Sequence, residues 1–274
     1  MTIKWLVQDT ARLYDAIENE VIPLKTLGYD FVTFGVIPFT STITGIDDLD
    51  PSETFIVRGG TKIVQMLDSG HPENLSDELI AKLRLGISYN QEKFDQAYYS
   101  KLDLPLLNSK PEILNLNNDK DLFASFSVPK FVKPSSDLKA FTAGIMEPGE
   151  VLKYFVESNY HRSGYAEETA LVHDVLEIEA EYRFICLNGE VISGSQYRRD
   201  NRTVYSSVIP QSVLDAASEY APLYEPADIY TMDLAETPNG IKIVEYNCWN
   251  GSGLYHMDTL KLFSVIQEYY SGKN

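Results

Sequence analysis

Apolar positions recur along the chain with two different periods. Short runs rich in β-branched and aromatic residues, at 3–7, 29–37 and 54–57, read as strands. Between the first two, Leu13, Ile17 and Val21 repeat at helical spacing after Thr10, a side chain suited to an N-cap. Strand, helix and strand at this spacing predict an α/β lobe of the βαβ type. The third strand runs into Arg58-Gly59-Gly60-Thr61. Ligands gather at the carboxyl ends of strands in open α/β sheets, so this loop is a candidate contact, with an ordinary glycine turn as the plainer reading. A helix over 77–85 follows the loop beginning at His71-Pro72, whereas 89–107 shows no decisive period. Residues 108–121 are rich in turn formers and read as a connection between lobes.

Beyond Asp119-Lys120, which opens a short helical segment, the pattern turns to strands separated by tight links. Residues 128–134, Val-Pro-Lys-Phe-Val-Lys-Pro, read as a strand ending at Lys133 and Pro134, and a small polar link led by Ser135 and Ser136 runs on to Gly144. A lysine fixed on a strand beside free backbone N–H groups and hydroxyls suits a polyphosphate, which needs a point charge plus oriented donors. A solvated surface lysine is the alternative. The stretch 171–176 reads as a strand, and 182–187 with 191–197 forms a hairpin about Asn188-Gly189. Glu181 and Arg183 share one face of their strand. Arg198 ends the next strand, so the two guanidinium groups approach one place across the pair, or else build a salt-bridged sheet face.

A second hairpin pairs 229–234 with 241–246 about Thr237-Pro238-Asn239-Gly240. Glu245 and Asn247 point to the same side, and the antiparallel partner brings Asp233 beside them. Two carboxylates and a carboxamide oxygen suit a hard cation such as magnesium; a polar edge after a buried strand is the alternative. The loop carrying Asn250, Gly251, Ser252 and Gly253 then closes on a ligand, opens the helical pattern of 260–266, or does both.

Composition narrows the classes. The chain has 274 residues, 44% hydrophobic and 12% aromatic, which supports a large packed core. Its net charge of −17, from 23 basic and 40 acidic residues, argues against a duplex nucleic-acid partner. A local basic pocket with a metal ion can still hold an anionic nucleotide on such a protein. No apolar stretch reaches membrane-spanning length and residues 1–7 lack a signal-peptide core, so a cytoplasmic protein is expected. Cys186 and Cys248 cannot build a zinc set, and reduced core thiols are the expectation for them.

Taken in order, Asp119-Lys120, Val132-Lys133-Pro134 with its small-residue loop, a strand ending in Asp174, Glu181 with Arg183, Asp233, and Glu245-Tyr246-Asn247 resemble the ATP-grasp superfamily of carboxylate–amine ligases. The resemblance covers about residues 115–260, and it is strongest toward a viral and bacterial clade marked by two arginines and a lysine, here Arg183, Arg198 and Lys133. It implies an α/β (α+β) fold: an N-terminal α/β lobe over 1–115, a small central lobe over 116–170 with the phosphate loop, and a C-terminal lobe over 171–274 with the metal site, ATP being gripped between antiparallel sheets. Lys120 and Lys133 match the nucleotide lysines, and Ser135 and Ser136 lead a phosphate loop poorer in glycine than in many relatives. The strand end His173-Asp174-Val175-Leu176 matches the hinge against adenine, and Glu181 the acid that takes the ribose hydroxyls. Asp233, Glu245 and Asn247 match the ligands of one or two Mg2+ ions, for which Mn2+ substitutes. Arg183, Arg198 and Lys133 are implied as the catalytic cations. The implied reaction is ATP-dependent: a carboxylate takes the γ-phosphoryl group, and an amine then displaces phosphate to form an amide. A kinase on the same fold and a nucleotide-binding module without turnover are the alternatives. Neither the substrate pair nor the oligomeric state can be read from these residues.

Overall fold

The computed structural model describes residues 2–9, 17–37, 40–46, 48–68, 72–115, 126–136, 141–148 and 169–273. Thr10, Leu13, His71, Asp119, Lys120 and the middle of the serine-led loop, 137–140, lie outside these residues. Three sheets organise the chain.

The first sheet contains β1 (Ile3–Gln8), β2 (Phe31–Val36), β3 (Ile43–Thr44) and β4 (Thr54–Arg58) in the order β3-β2-β1-β4. The strand β1 runs parallel to both β2 and β4, as a βαβ unit requires. It is apolar on both faces because both are covered. Trp5, Val7 and Ile56 join Leu262, Phe263 and Ile266 of the C-terminal helix Thr259–Gly272 in one core. On the other side Leu6, Phe55 and Val57 pack with Ile63, Leu67 and Leu83 of the helices Thr61–Asp68 and Asp77–Leu85. The last helix of the chain thus closes the first sheet, which locks the two ends of the sequence together.

The small sheet contains β5 (Glu112–Asn115), β6 (Lys130–Pro134), β7 (Gly144–Met146) and β8 (Thr169–Asp174), antiparallel throughout in the order β5-β8-β6-β7. The turn-rich stretch expected as a connector therefore also supplies an edge strand. Its Leu114 is what makes the difference, packing with Val132, Met146, Ala170 and Val172. Residues 89–107, without a decisive period, form two one-turn helices, Gln91–Phe94 and Gln96–Tyr99, capped by the side chains of Asn90 and Asp95.

The large sheet contains β9 (Ala180–Leu187), β10 (Glu190–Arg199), β11 (Arg202–Ser206), β12 (Ile229–Thr237) and β13 (Gly240–Asn247), antiparallel in the order β11-β10-β9-β12-β13. Period-two alternation divides its residues. Tyr182, Phe184, Cys186, Tyr230, Met232, Leu234 and Tyr246 form a core with Val213 and Ala217 of the helix Gln211–Tyr220 and with Phe94 and Tyr99. Each such large apolar side chain stabilises the fold by about 1.5–3 kcal/mol on burial. Gly194 makes room for one of them, since a Cβ there would meet the Phe184 ring at 2.5 Å. The outer edge of β13 is covered, Leu107 N–H donating to the Ile243 carbonyl and Ile243 N–H to the Pro105 carbonyl. Both cysteines are free and buried, as expected, and burial pushes the Cys186 thiol up to about 12. Among the described residues no helix is long and apolar enough to cross a membrane.

Candidate active site

The second face of the large sheet carries the polar residues. Asp233 of β12 lies between Arg183 of β9 and Glu245 of β13, directly opposite each in register. Arg183 holds it with two bonds, Nε to Oδ1 at 2.8 Å and Nη2 to Oδ2 at 2.7 Å. Asp233 is 1% exposed and Arg183 7%. Burial opposes the guanidinium charge, but attraction to Asp233 and the bonds to it outweigh that and hold Arg183 well above its ordinary value. Burial pushes the Asp233 carboxyl up while Arg183 pulls it down. The fork geometry decides for an ionised pair, because both bonds need a carboxylate acceptor. The amide nitrogen of Asn247 donates to Asp233 Oδ2 at 3.3 Å and to Glu245 Oε1 at 3.1 Å, so Asp233, Glu245 and Asn247 do converge.

Arg183 is also capped by aromatic rings, 5.6 Å from the Tyr197 centroid and 5.2 Å from that of Tyr255. Tyr255 adopts a left-handed backbone, φ 51°, to stack between Tyr197 and Tyr205. A large residue there stores strain of about 1–3 kcal/mol, which its ring contacts must offset.

Arg198 ends elsewhere. A bulge between Gln196 and Arg198 sets Arg198 opposite Glu181, while Ser195 takes the place opposite Arg183. Arg198 donates to Glu181 Oε1 at 2.8 Å, and the Tyr197 hydroxyl to Oε2 at 2.7 Å. The two guanidinium groups expected at one place are therefore bound to different carboxylates.

The small sheet brings the remaining pieces. Lys133 of β6 is bonded to Glu245 across the gap between the two sheets. Phe131, one alternation earlier, is opposite His173 of β8 and Ile145 of β7, so these side chains lie on the lysine's face. His173 is buried, and desolvation, with the Lys133 charge next, lowers its pKa to about 4. Beyond it Asp174 pairs with Lys130 at 2.7 Å, and Val175 and Leu176 are each 45% exposed.

Lys133, Ser135, Ser136, Glu245 and Asn247 line one pocket of about 350 Å³, together with Phe141, Thr142 and Ala143. Gln96 and Phe94 of the two short helices complete it. No period or motif in 89–107 marks Gln96 or Phe94, and only their place in the fold reveals them.

Two stretches expected to contact a ligand are instead structural ties. Arg58, 2% exposed, pairs with Glu20 at 2.8 Å, donates to the Ser252 carbonyl at 2.8 Å and to the Trp249 carbonyl, and lies over the Trp249 ring. Asn250 is fully buried and donates to the Val57 and Gly86 carbonyls at 2.6 and 3.1 Å. These bonds fasten the loop after β13 to the end of β4.

In kind, two carboxylates and a carboxamide fit a hard divalent cation. Among the described residues no three His, Cys, Asp or Glu side chains are grouped as metal ligands, and Arg183 takes both Asp233 oxygens. Glu245 and Asn247 are the members of the set that reach the pocket.

An antiparallel small sheet facing an antiparallel large one, with a lysine of the first meeting the carboxylate edge of the second, is the arrangement of ATP-grasp proteins. The chain is similar in fold to D-alanine–D-alanine ligase from Bacillus anthracis, with a TM-score of 0.59 and 12% identity, covering 98% of this chain and 96% of that one. It is similar to the same ligase complexed with ATP, at a TM-score of 0.54 and 14% identity over 98% and 92% of the two chains. It is also similar to the macrocyclase MdnC from Microcystis aeruginosa, bound with precursor peptide MdnA, at 0.52 and 14% over 98% and 99%. No curated protein matches the chain. Residues 118–265 match the ATP-grasp domain of the second family in the clade named for two arginines and a lysine, and the chain belongs to that family.

Proposed function

We propose that the protein is an ATP-dependent carboxylate–amine ligase whose nucleotide lies between the small and large sheets. The observation that carries this is the convergence of Lys133, from one sheet, with Glu245 and Asn247, from the other, on a single pocket beside Ser135 and Ser136. The D-alanine–D-alanine ligase neighbour complexed with ATP supports the choice of nucleotide.

In this reading Phe131, Ile145 and the neutral His173 form the apolar wall for adenine, and backbone groups around Asp174, Val175 and Leu176 meet its edge. Glu181 receives the ribose hydroxyls by exchanging its bonds with Tyr197 and Arg198. Lys133 and Lys120 hold the phosphates, with hydroxyl and N–H donors from Ser135 and Ser136. Glu245 and Asn247, backed by Asp233, would hold magnesium, which supplies positive charge between the phosphates. As negative charge develops on the transferring oxygens, Lys133 and Arg198 stabilise it from fixed positions. Arg183 acts one step back, orienting Asp233 and hence Asn247. The carboxylate substrate takes the γ-phosphoryl group, and the amine then displaces phosphate from the acyl group.

Calorimetric titration of a non-hydrolysable ATP analogue, with and without Mg2+, tests the reading. Magnesium-dependent binding that Lys133→Ala weakens at least tenfold, about 1.4 kcal/mol, is expected. No binding to the parent, or equal binding to the variant, would overturn it. A phosphorylated acceptor among the products would replace ligation by a kinase reaction on the same site.

A further inference from the structure

Gln96 is 1% exposed, and neither its carboxamide oxygen nor its amide nitrogen has a hydrogen-bond partner among the described residues. Leaving both ends of a carboxamide unpaired inside a protein is costly, and such groups in folded proteins nearly always meet a partner. The residue is held firmly all the same. Its backbone N–H donates to the Ser135 carbonyl at 2.9 Å, and the neighbouring Asp95 accepts from Ser135 Oγ at 3.3 Å. Gln96 and the start of the serine loop are therefore one unit, and both line the pocket that holds Lys133, Glu245 and Asn247.

The chemistry of the lining narrows what Gln96 meets. Among the described residues the charged side chains around the pocket are Lys133 and Glu245, bonded to one another. The aromatic walls are Phe94, Tyr99 and Phe141. An ionised phosphate has no donor for the carboxamide oxygen, and a carboxylate has none either. An amide offers a donor and an acceptor together and carries no charge into an aromatic surrounding. We propose that Gln96 binds an amide group of the substrate, so that the ligase joins a peptide or an amino acid bearing a carboxamide. The inference rests on the nucleotide reading above and adds the substrate class to it.

The test uses the full chain with Mg2+ and ATP, following ADP release. Glycylglycine, L-alanyl-L-alanine, L-glutamine and L-asparagine are supplied singly and in pairs, against glycine, L-alanine, L-glutamate and L-aspartate. At least one amide-bearing probe is expected to stimulate release tenfold more than its amide-free counterpart. Gln96→Leu should raise KM for that probe at least tenfold while the Kd for Mg2+-AMPPNP changes less than twofold. Gln96→Glu, which keeps the shape and the acceptor oxygens but loses the amide donor, should lose the preference for the amide. Equal stimulation by amide-free probes, no stimulation by any amide-bearing probe, or an unchanged KM in Gln96→Leu would overturn the inference. A tenfold loss of AMPPNP affinity in Gln96→Leu would also overturn it, by assigning the carboxamide to the nucleotide. Failure of the parent to bind Mg2+-AMPPNP is a different result, because it removes the ligase reading itself.

Discussion

Arg183→Met isolates the interaction at the centre of the large sheet. The substitution keeps an unbranched side chain against Tyr197 and Tyr255 but removes both donors to Asp233, a carboxylate 1% exposed. Breaking a buried ion pair from one side costs about 3–5 kcal/mol, since the remaining charge has lost its solvent and its partner. Asn247 still donates to Asp233 at 3.3 Å, which places the expectation at the lower end, about 3 kcal/mol. Urea denaturation at pH 7.5 with linear extrapolation reads this directly. Arg183→Met with Asp233→Leu should recover most of the loss, because well-packed apolar residues replace a buried pair at little net cost. The pH dependence supplies an independent sign. Once unpaired, Asp233 has a folded pKa above its unfolded value, so the folded variant takes up the proton first. The stability gap to the parent is then full at pH 7.5 and shrinks as the pH falls toward 5. A loss under about 1 kcal/mol for Arg183→Met, or a double variant that loses the sum of the two single losses, would refute the reasoning.

Three further outcomes are expected. His173, lowered from 6.5 to about 4, binds its proton more readily unfolded than folded, so its neutral-form stability is whole above pH 6.5 and drains away toward pH 4. The loss amounts to about 3 kcal/mol at 1.36 kcal/mol per pH unit. Thermal melts between pH 7 and 4 should show it, and His173→Phe should flatten that part of the profile. Cys186 and Cys248 are buried free thiols, so a thiol reagent should label neither in the native protein within minutes and both in guanidinium chloride; rapid native labelling of Cys186 would contradict its burial. Gly194→Ala drives a methyl group into the Phe184 ring and should lower stability by about 1–3 kcal/mol in urea titrations, and a neutral result would show that the ring has room to move.

The faces of the strands were legible in the sequence, and the partners of the side chains on them were not. Asp233, Glu245 and Asn247 could be placed together because strand side chains alternate and the turn at 237–240 brings the two strands side by side. Glu181 and Arg183 were placed on one face for the same reason. Nothing in the local pattern showed the extra residue in β10, and that residue decides where Arg198 goes. Without the bulge, alternation would set the guanidinium by register alone. With it, Arg198 lies opposite Glu181 and leaves Arg183 to Asp233. Arg58 and Asn250 illustrate the same limit over a longer range. Each has the residue type and loop setting of a ligand contact, yet each is consumed in fastening the loop after β13 to the end of β4, through bonds that span 194 and 193 residues of sequence. Gln96 is the converse case, a side chain with no motif around it that tertiary packing carries to the pocket. Its neighbours explain why a local reading missed it: short capped turns and aromatic anchors fix its backbone, so neither period nor propensity reflects the side chain's role. A residue whose role depends only on a face can be found from alternation, whereas one whose role depends on which polar group lies opposite requires the register and every bulge that shifts it.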